Sequence, residues 1–252
     1  MNAISRRQFN RYCDIIYKES GIKLTEKKRE LLNARIGKRI RKLNVKPNKY
    51  LSIIENDSDE LNHFLDVIST NHTYFFRESN CLKYLDQNSR EIWCAASSSG
   101  EEPYTIATYC MEKGFVPSIL ATDISDSCLA KGRMGVYQKK CVSNIPEYIL
   151  TRYFQRGIGK WEDCVRVKES VRTIVTFEKF NLLKDTPSSR MFDIIFCRNV
   201  MIYFDNSSKG TVLRKLFKVL KHGGYFIIGG AESLSGLKHD LKYIEPSVYR
   251  KI

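Results

Sequence analysis

A mixed α/β fold, built on a doubly wound parallel sheet with a small helical domain at its N-terminal end and a small antiparallel β insertion, is what this 252-residue sequence predicts. Three observations predict it. The first seventy-odd residues carry apolar side chains at helical spacing and no strand pattern. Beyond them, short apolar runs alternate with amphipathic segments, the signature of a sheet covered on both faces. One of those runs, residues 92–96, passes through the small residues Ser97-Ser-Ser-Gly100 directly into a helix start, and a strand-turn-helix of this kind is a ligand site by construction.

In chain order, Phe9, Tyr12, Cys13 and Ile16 lie at i, i+3, i+4 and i+7 of a first helix, with Ser5 as N-cap and Gly21 as stop. A second helix follows Thr25. Its apolar line is Leu32, Ile36, Ile40 and Leu43, and Lys27, Lys28, Arg29, Arg35, Lys38, Arg39, Arg41 and Lys42 surround it, opposed only by Glu26 and Glu30. A charge run is usually a solvated face, but one of a single sign points to a docking surface, with Lys38 and Arg39 as its representatives. Pro47 ends the run, and shorter helices around Tyr50–Ile54 and through Leu61, Phe64, Leu65 and Ile68 complete a helical domain assigned to residues 1–75.

The strand at 92–96 opens the second domain, 76–252. After it, Ser99 and Glu102 have the spacing of a capping box, and Pro103 falls in the first helical turn, where its missing N–H has no partner to lose. The turn is not a phosphate cradle: it has one glycine and two adjacent carboxylates, Glu101 and Glu102, which repel pyrophosphate. They suit a ligand with cationic groups, such as S-adenosylmethionine (SAM); equally, they favour the positive helix end while facing water. The next strand, 118–122, stops at Asp123, 21 residues beyond Glu102, where a nucleotide-binding unit places the acid that holds ribose hydroxyls. The two features together favour an adenosine-bearing ligand, SAM.

Residues 136–174 fit the alternation badly and read as an insertion, assigned to about 148–175. It contains the turn Arg156-Gly157-Ile158-Gly159, then Cys164-Val-Arg-Val167 and Thr173-Ile-Val-Thr176, which suggest short antiparallel strands. The third strand of the main sheet is expected to end at Phe180-Asn181-Leu182-Leu183. The fourth, 192–197, runs into Arg198-Asn199. A helix on Leu213, Leu216, Phe217 and Leu220 is expected to stop at Gly223-Gly224, and 225–228 with a stretch around Val248-Tyr249 to close the sheet as an antiparallel pair.

Composition bounds the function. Net charge of +14 calls for an acidic partner or surface, with nucleic acid the first guess. No apolar run approaches the roughly 20 residues of a membrane helix and the N-terminus has no apolar signal core, so a cytoplasmic protein without membrane insertion is expected. The eight cysteines are single, without a C-x-x-C pair, and the four histidines have no ligand spacing, so no metal is expected. Monomer is the default state.

Five blocks then match a known family: Asn71-x-Thr73-x-Phe75-Phe76-Arg77, Ser-Ser-Gly-Glu-Glu-Pro-Tyr104, Ala121-Thr-Asp-Ile124, Cys197-Arg-Asn-Val-Met-Ile-Tyr-Phe204 and Gly229-x-x-Glu232-Ser. In this order they resemble the chemotaxis receptor methyltransferases, CheR, across almost the whole chain. The turn departs slightly, with Ala96-Ser-Ser-Ser99 where Ala-Ser-Thr-Gly is common. The resemblance implies a Rossmann-like SAM-dependent domain that transfers methyl groups to glutamates on the cytoplasmic helices of chemoreceptors, leaving γ-glutamyl methyl esters and S-adenosyl-L-homocysteine. It implies that Asn71, Thr73, Arg77, Glu102, Asp123, Asn181, Leu182, Arg198 and Asn199 line the SAM site, with Asp123 on the ribose and Glu102 near the methionyl end. Arg77 and Tyr203 are the catalytic candidates, although Tyr203 unaided reads as an ordinary core aromatic. Members that dock on a tail peptide at the receptor C-terminus share the R-G-x-G turn and the loop length to Val165-Arg-Val167, so Gly157 and Gly159 are candidate partner-binding positions. Two other readings stand beside this one. A nucleic-acid methyltransferase is disfavoured because [DN]-P-P-[YF] is absent after the fourth strand. A non-catalytic SAM-binding regulatory module is disfavoured by intact Arg77 and Tyr203.

Overall fold

The computed structural model describes residues 4–252. Helix α1 (Arg6–Ser20) starts in a capping box: the Gln8 amide donates to the Ser5 hydroxyl, and the Gln8 side chain accepts from the Ser5 amide. Gly21, at φ 70°, ends it. After one 3₁₀ turn come α2 (Arg29–Leu43), α3 (Pro47–Asn56, with Pro47 in its first turn) and α4 (Ser58–Ile68), whose first amides donate to the Asp57 carboxylate. Tyr12, Tyr50 and Phe64 form the centre of this bundle, fully buried, the Tyr12 and Phe64 rings 5.7 Å apart.

One charge of the basic helix is not a surface charge. Arg39 donates from Nε to Glu60 Oε1 at 2.9 Å, and Tyr50 Oη donates to the same oxygen at 2.7 Å. Burial pushes the Glu60 carboxyl up, but the hydrogen bonds from Arg39 and Tyr50 outweigh it and hold the group below its ordinary range. This corrects the sequence expectation for Arg39, whose partner lies 21 residues away on α4 and outside any local charge count. Lys38 alone of the pair is exposed. Arg39→Glu is therefore expected to cost about 3–5 kcal/mol, because it sets a second carboxylate beside the buried one, whereas Lys38→Glu should stay within about 0.5 kcal/mol. Urea melts of the two variants check this contrast.

The second part is a sheet of seven strands. In chain order its framework is β1 (Glu91–Ala95), α5 (Glu101–Glu112), β2 (Ser118–Asp123), α6 (Asp126–Met134), then β3 (Val136–Gln138), α7 (Glu147–Tyr153), β4 (Phe154–Arg156), β5 (Cys164–Val167) and α8 (Glu169–Arg172). There follow β6 (Val175–Lys179), β7 (Phe192–Cys197), α9 (Asn206–Val219), β8 (Leu220–Ile228), β9 (Leu241–Glu245) and β10 (Val248–Lys251). The large sheet runs β6-β2-β1-β7-β8-β10-β9, parallel through β8, with antiparallel β10 and β9. Alternation along each central strand feeds two cores. Ile92, Cys94, Ile194 and Phe196 face α5 and the insertion; Trp93, Ala95, Ile195 and Cys197 face α9. Strand order reverses outward from β1, between β2 and β7, which places a crevice at the carboxyl ends of these strands.

Three expectations change. Val175 and Thr176 lie in β6 of the main sheet, paired with β2, rather than in the insertion, and that strand ends at Lys179, before Asn181. The insertion's own sheet is β3-β5-β4, so Val136–Gln138 supplies its third strand. Gly223 and Gly224 do not stop α9, which ends at Val219; they sit within β8 where its register against β7 shifts, and a Cβ at Gly224 would lie 2.8 Å from the Asp193 carbonyl. Among the described residues no helix is long and apolar enough to cross a membrane, and no group of side chains has the makings of a metal site.

Candidate active site

The crevice at the ends of β1, β2 and β7 is a cleft covered by the end of α1 and the segment after α4.

Its floor is the turn after β1. Ala96 (φ 68°), Ser98 (φ 50°) and Gly100 (φ 96°) are all left-handed, and two of them have side chains that make this conformation costly. Gly100 has no alternative: a Cβ there would lie 3.1 Å from Gly132 Cα and 2.9 Å from Tyr137 Oη. Gly100, not Ser99, precedes the helix, and no side chain caps it. The predicted capping box is therefore absent: Ser99 Oγ donates to Glu101 Oε2 at 2.7 Å, and Glu102 turns inward.

Glu102 meets Arg198 from the end of β7, Arg198 Nη1 donating to Glu102 Oε2 at 2.7 Å. Burial raises the Glu102 carboxyl, and the Arg198 charge opposes that rise. Arg198 Nη2 also donates to the Arg77 carbonyl at 2.7 Å and lies 3.2 Å from Glu78 Oε2. Arg77, Glu78, Arg198 and Glu102 thus form a chain of alternating charge along one wall. Arg77 is braced by its Nη1 donating to the His72 carbonyl at 2.7 Å, and its guanidinium lies over the Tyr74 ring, 5.6 Å from the centroid.

On the opposite wall Asp123, 6% exposed, accepts from the Ser98 amide at 2.8 Å and the Ser125 amide at 2.9 Å. It ties the ends of β1 and β2 together and still presents a carboxylate to the cleft. Burial raises its pKa above the ordinary carboxylate value, against these backbone hydrogen bonds. Asn181 and Leu182 follow β6; the Asn181 side chain donates to the Glu19 carbonyl at 2.7 Å, fixing the end of α1 over the cleft. Asn71, Thr73, Asn199 and Tyr203 complete the lining. The Tyr203 carbonyl accepts from Lys23 at 2.9 Å, and the Lys28 ammonium lies 4.9 Å from its ring centroid.

Every predicted cofactor and catalytic position therefore lines this one cleft, although the positions run from 71 to 203 in the chain. Lys38 lies away from it on α2, and Gly157 and Gly159 in the loop after β4. Sequence reasoning missed Glu78 and gave no role to Glu232, which accepts the amides of Asn199 and Gly229 at 2.8 and 2.6 Å. Position 232 had a signal in the quoted Gly229-x-x-Glu232 block. Glu78 had only its place beside Arg77.

The donor set fits SAM. A buried carboxylate at the end of β2 can accept two ribose hydroxyls, and a wall of alternating charge can take an amino acid's ammonium and carboxylate.

Comparison with known proteins gives two family-model matches: "CheR methyltransferase, all-alpha domain" over residues 7–69 and "CheR methyltransferase, SAM binding domain" over residues 71–250. The chain is 37% identical to a chemotaxis protein methyltransferase of Borreliella burgdorferi, over 98% of this chain and 95% of that protein. It is 36% identical to proteins of the same name from Salmonella typhimurium and Escherichia coli, each over 98% of this chain and 91% of the relative.

Proposed function

Because this chain belongs to the CheR methyltransferase family, matched through both its all-alpha and its SAM-binding domain, we propose that the cleft binds SAM and methylates glutamate side chains on the cytoplasmic helical region of chemoreceptors. The observation that carries this reading is the convergence of Arg77, Tyr203, Asp123, Glu102 and Arg198 on one cleft. SAM, when bound, supplies a methyl group on a sulfonium: the C–S bond breaks, a C–O bond forms, and sulfur leaves as a neutral thioether.

The protein's part is placement. A glutamate carboxylate, with an ordinary pKa of about 4.3, is already ionised at pH 7 and requires no general base. Arg77 holds it with a planar fork of donors, Tyr203 directs it through the hydroxyl, and the roof from α1 and residues 69–74 excludes water from the nucleophile. Asp123 takes the ribose hydroxyls. Arg77→Ala is expected to lower methyl transfer by about 100-fold or more with little change in melting temperature, because the side chain faces the cleft and does not support the core. A fully active Arg77→Ala variant would remove Arg77 from the mechanism.

The insertion is proposed to hold a receptor tail peptide and so raise the local concentration of methylation sites. Its outer strand β4 has a free sheet edge where an extended peptide can add, and Ile158 and Trp161 stand 85% and 53% exposed beside it. A Cβ at Gly157 would lie 1.9 Å from the Trp161 carbonyl oxygen, so Gly157→Val must distort this loop. Methylation of full-length receptor by that variant should fall to the rate seen with tail-deleted receptor, at unchanged SAM affinity. Equal wild-type rates on both receptors would exclude the tether.

A further inference from the structure

We propose that Glu232 is a positioning residue for methyl transfer, acting through Tyr203. Its carboxylate accepts three backbone amides from two strand ends. Oε2 takes Asn199 at 2.8 Å and Gly229 at 2.6 Å; Oε1 takes Ile202 at 3.1 Å. Asn199 and Ile202 bracket the segment after β7, and Gly229 begins the segment after β8. One side chain thus locks two loops that no backbone ladder joins.

The arrangement has a geometric reason. Asn199 is left-handed at φ 58°, which turns the chain out of β7 and carries it into the 3₁₀ turn Met201–Tyr203. Position 229 must be glycine to let that loop in, since a Cβ there would lie 2.4 Å from Asn199 Nδ2 and 2.9 Å from its backbone nitrogen. The Glu232 amide donates back to the Gly229 carbonyl at 2.9 Å, so the carboxylate is itself held by the turn that it clamps. On the outer side, Glu78 accepts the Gly230 amide at 2.9 Å and lies 3.3 Å from Asn199 Nδ2. Glu232 is the side chain that ties the turn carrying Tyr203 to the segment after β8; the Tyr203 amide also donates to the Val200 carbonyl at 3.1 Å, the ring packs against the core beneath β7, and Lys23 and Lys28 meet it from the α1–α2 connection.

The two oxygens have separable tasks. In Glu232→Gln the amide oxygen can keep the Oε2 position, where two N–H groups converge, which sets the amide NH₂ against the Ile202 N–H. Asn199 and Gly229 remain satisfied, and the turn carrying Tyr203 loses its tie at Ile202. A group that holds geometry without touching the reacting atoms should lower kcat and leave SAM affinity alone.

The inference rests on the reading of Tyr203 as a substrate-facing residue, and the experiment separates the two. Methyl transfer from SAM to a purified receptor cytoplasmic fragment is measured for the wild type, Glu232→Gln, Tyr203→Phe and the double variant, with calorimetric SAM affinity and melting temperature for each. Tyr203 is also replaced by 3-fluorotyrosine and its ¹⁹F line recorded with Glu or Gln at 232. Glu232→Gln should lower kcat at least about tenfold, shift SAM affinity less than about threefold, and cost nothing further in the Tyr203→Phe background. The ¹⁹F line, single and narrow with Glu232, should broaden or split with Gln. Full kcat in Glu232→Gln, losses that multiply in the double variant, or an unchanged ¹⁹F line would each overturn the proposal. A wild type that does not methylate the fragment overturns the receptor reading instead, and the ¹⁹F comparison still decides the role of Glu232.

Discussion

Replacing Arg198 by methionine is expected to destabilise the protein by about 3–5 kcal/mol, a fall of roughly 6–20 °C in melting temperature for a chain of this size. Arg198 is 8% exposed and donates to Glu102, to the Arg77 carbonyl and to the Glu78 region; methionine fills the space but leaves Glu102 buried without its cation. The loss should depend on pH in a defined direction. Burial already raises the Glu102 carboxyl, and removing the opposing cation raises it further, so the folded variant binds a proton that the unfolded chain does not. Stability of the variant then falls as pH rises from the unfolded carboxylate value through the raised folded one, and its deficit against the wild type narrows in acid. Adding Glu102→Gln should recover a large part of the loss at pH 7. Urea titrations of the wild type, Arg198→Met and the double variant at pH 5 and pH 7 check all three statements, and equal deficits at the two pH values would disprove the role given to the Glu102 charge.

The second large effect is on cofactor affinity. Asp123→Asn should weaken SAM binding roughly 10- to 100-fold, the equivalent of about 1.5–3 kcal/mol for a charge-assisted contact to ribose hydroxyls. Asparagine keeps one acceptor for the two backbone amides now bonded at Ser98 and Ser125, so it disturbs the turns less than alanine would. Because burial raises the Asp123 carboxyl, the wild type should lose SAM affinity as pH falls through that raised value, where the protonated acid no longer accepts both hydroxyls. The Asp123→Asn variant should lack that dependence. Calorimetry across mildly acidic pH reads both, and a wild-type affinity that does not change with pH would remove the anion from the binding account.

What the sequence made legible was local. The buried strands β1, β2 and β7 show as apolar runs, the helical bundle as a 3.6-residue repeat, and Asp123 as a strand-end acid, because each is fixed by residues a few positions apart. The misreadings share the opposite character. Ser99 and Glu102 have capping spacing, yet Glu102 is drawn inward by Arg198, which lies 96 residues away. Arg39 looks like one charge of a basic helix until Glu60 and Tyr50 are folded against it. Strand β6 alternates as an antiparallel strand would, since it is a sheet edge with only one ladder. Strand β9 was missed for a related reason: Leu241 is its sole buried residue, so an edge strand without alternation has no pattern to find.

Esterification of receptor glutamates within this cleft is decided by the fate of the transferred methyl group. The purified protein is incubated with methyl-labelled SAM and either chemoreceptor-bearing membranes or total RNA, and each product is treated with mild alkali. Label is expected on receptor protein, released by alkali as volatile methanol, with RNA unlabelled. Label that survives alkali, or that enters RNA, would contradict esterification of receptor glutamates.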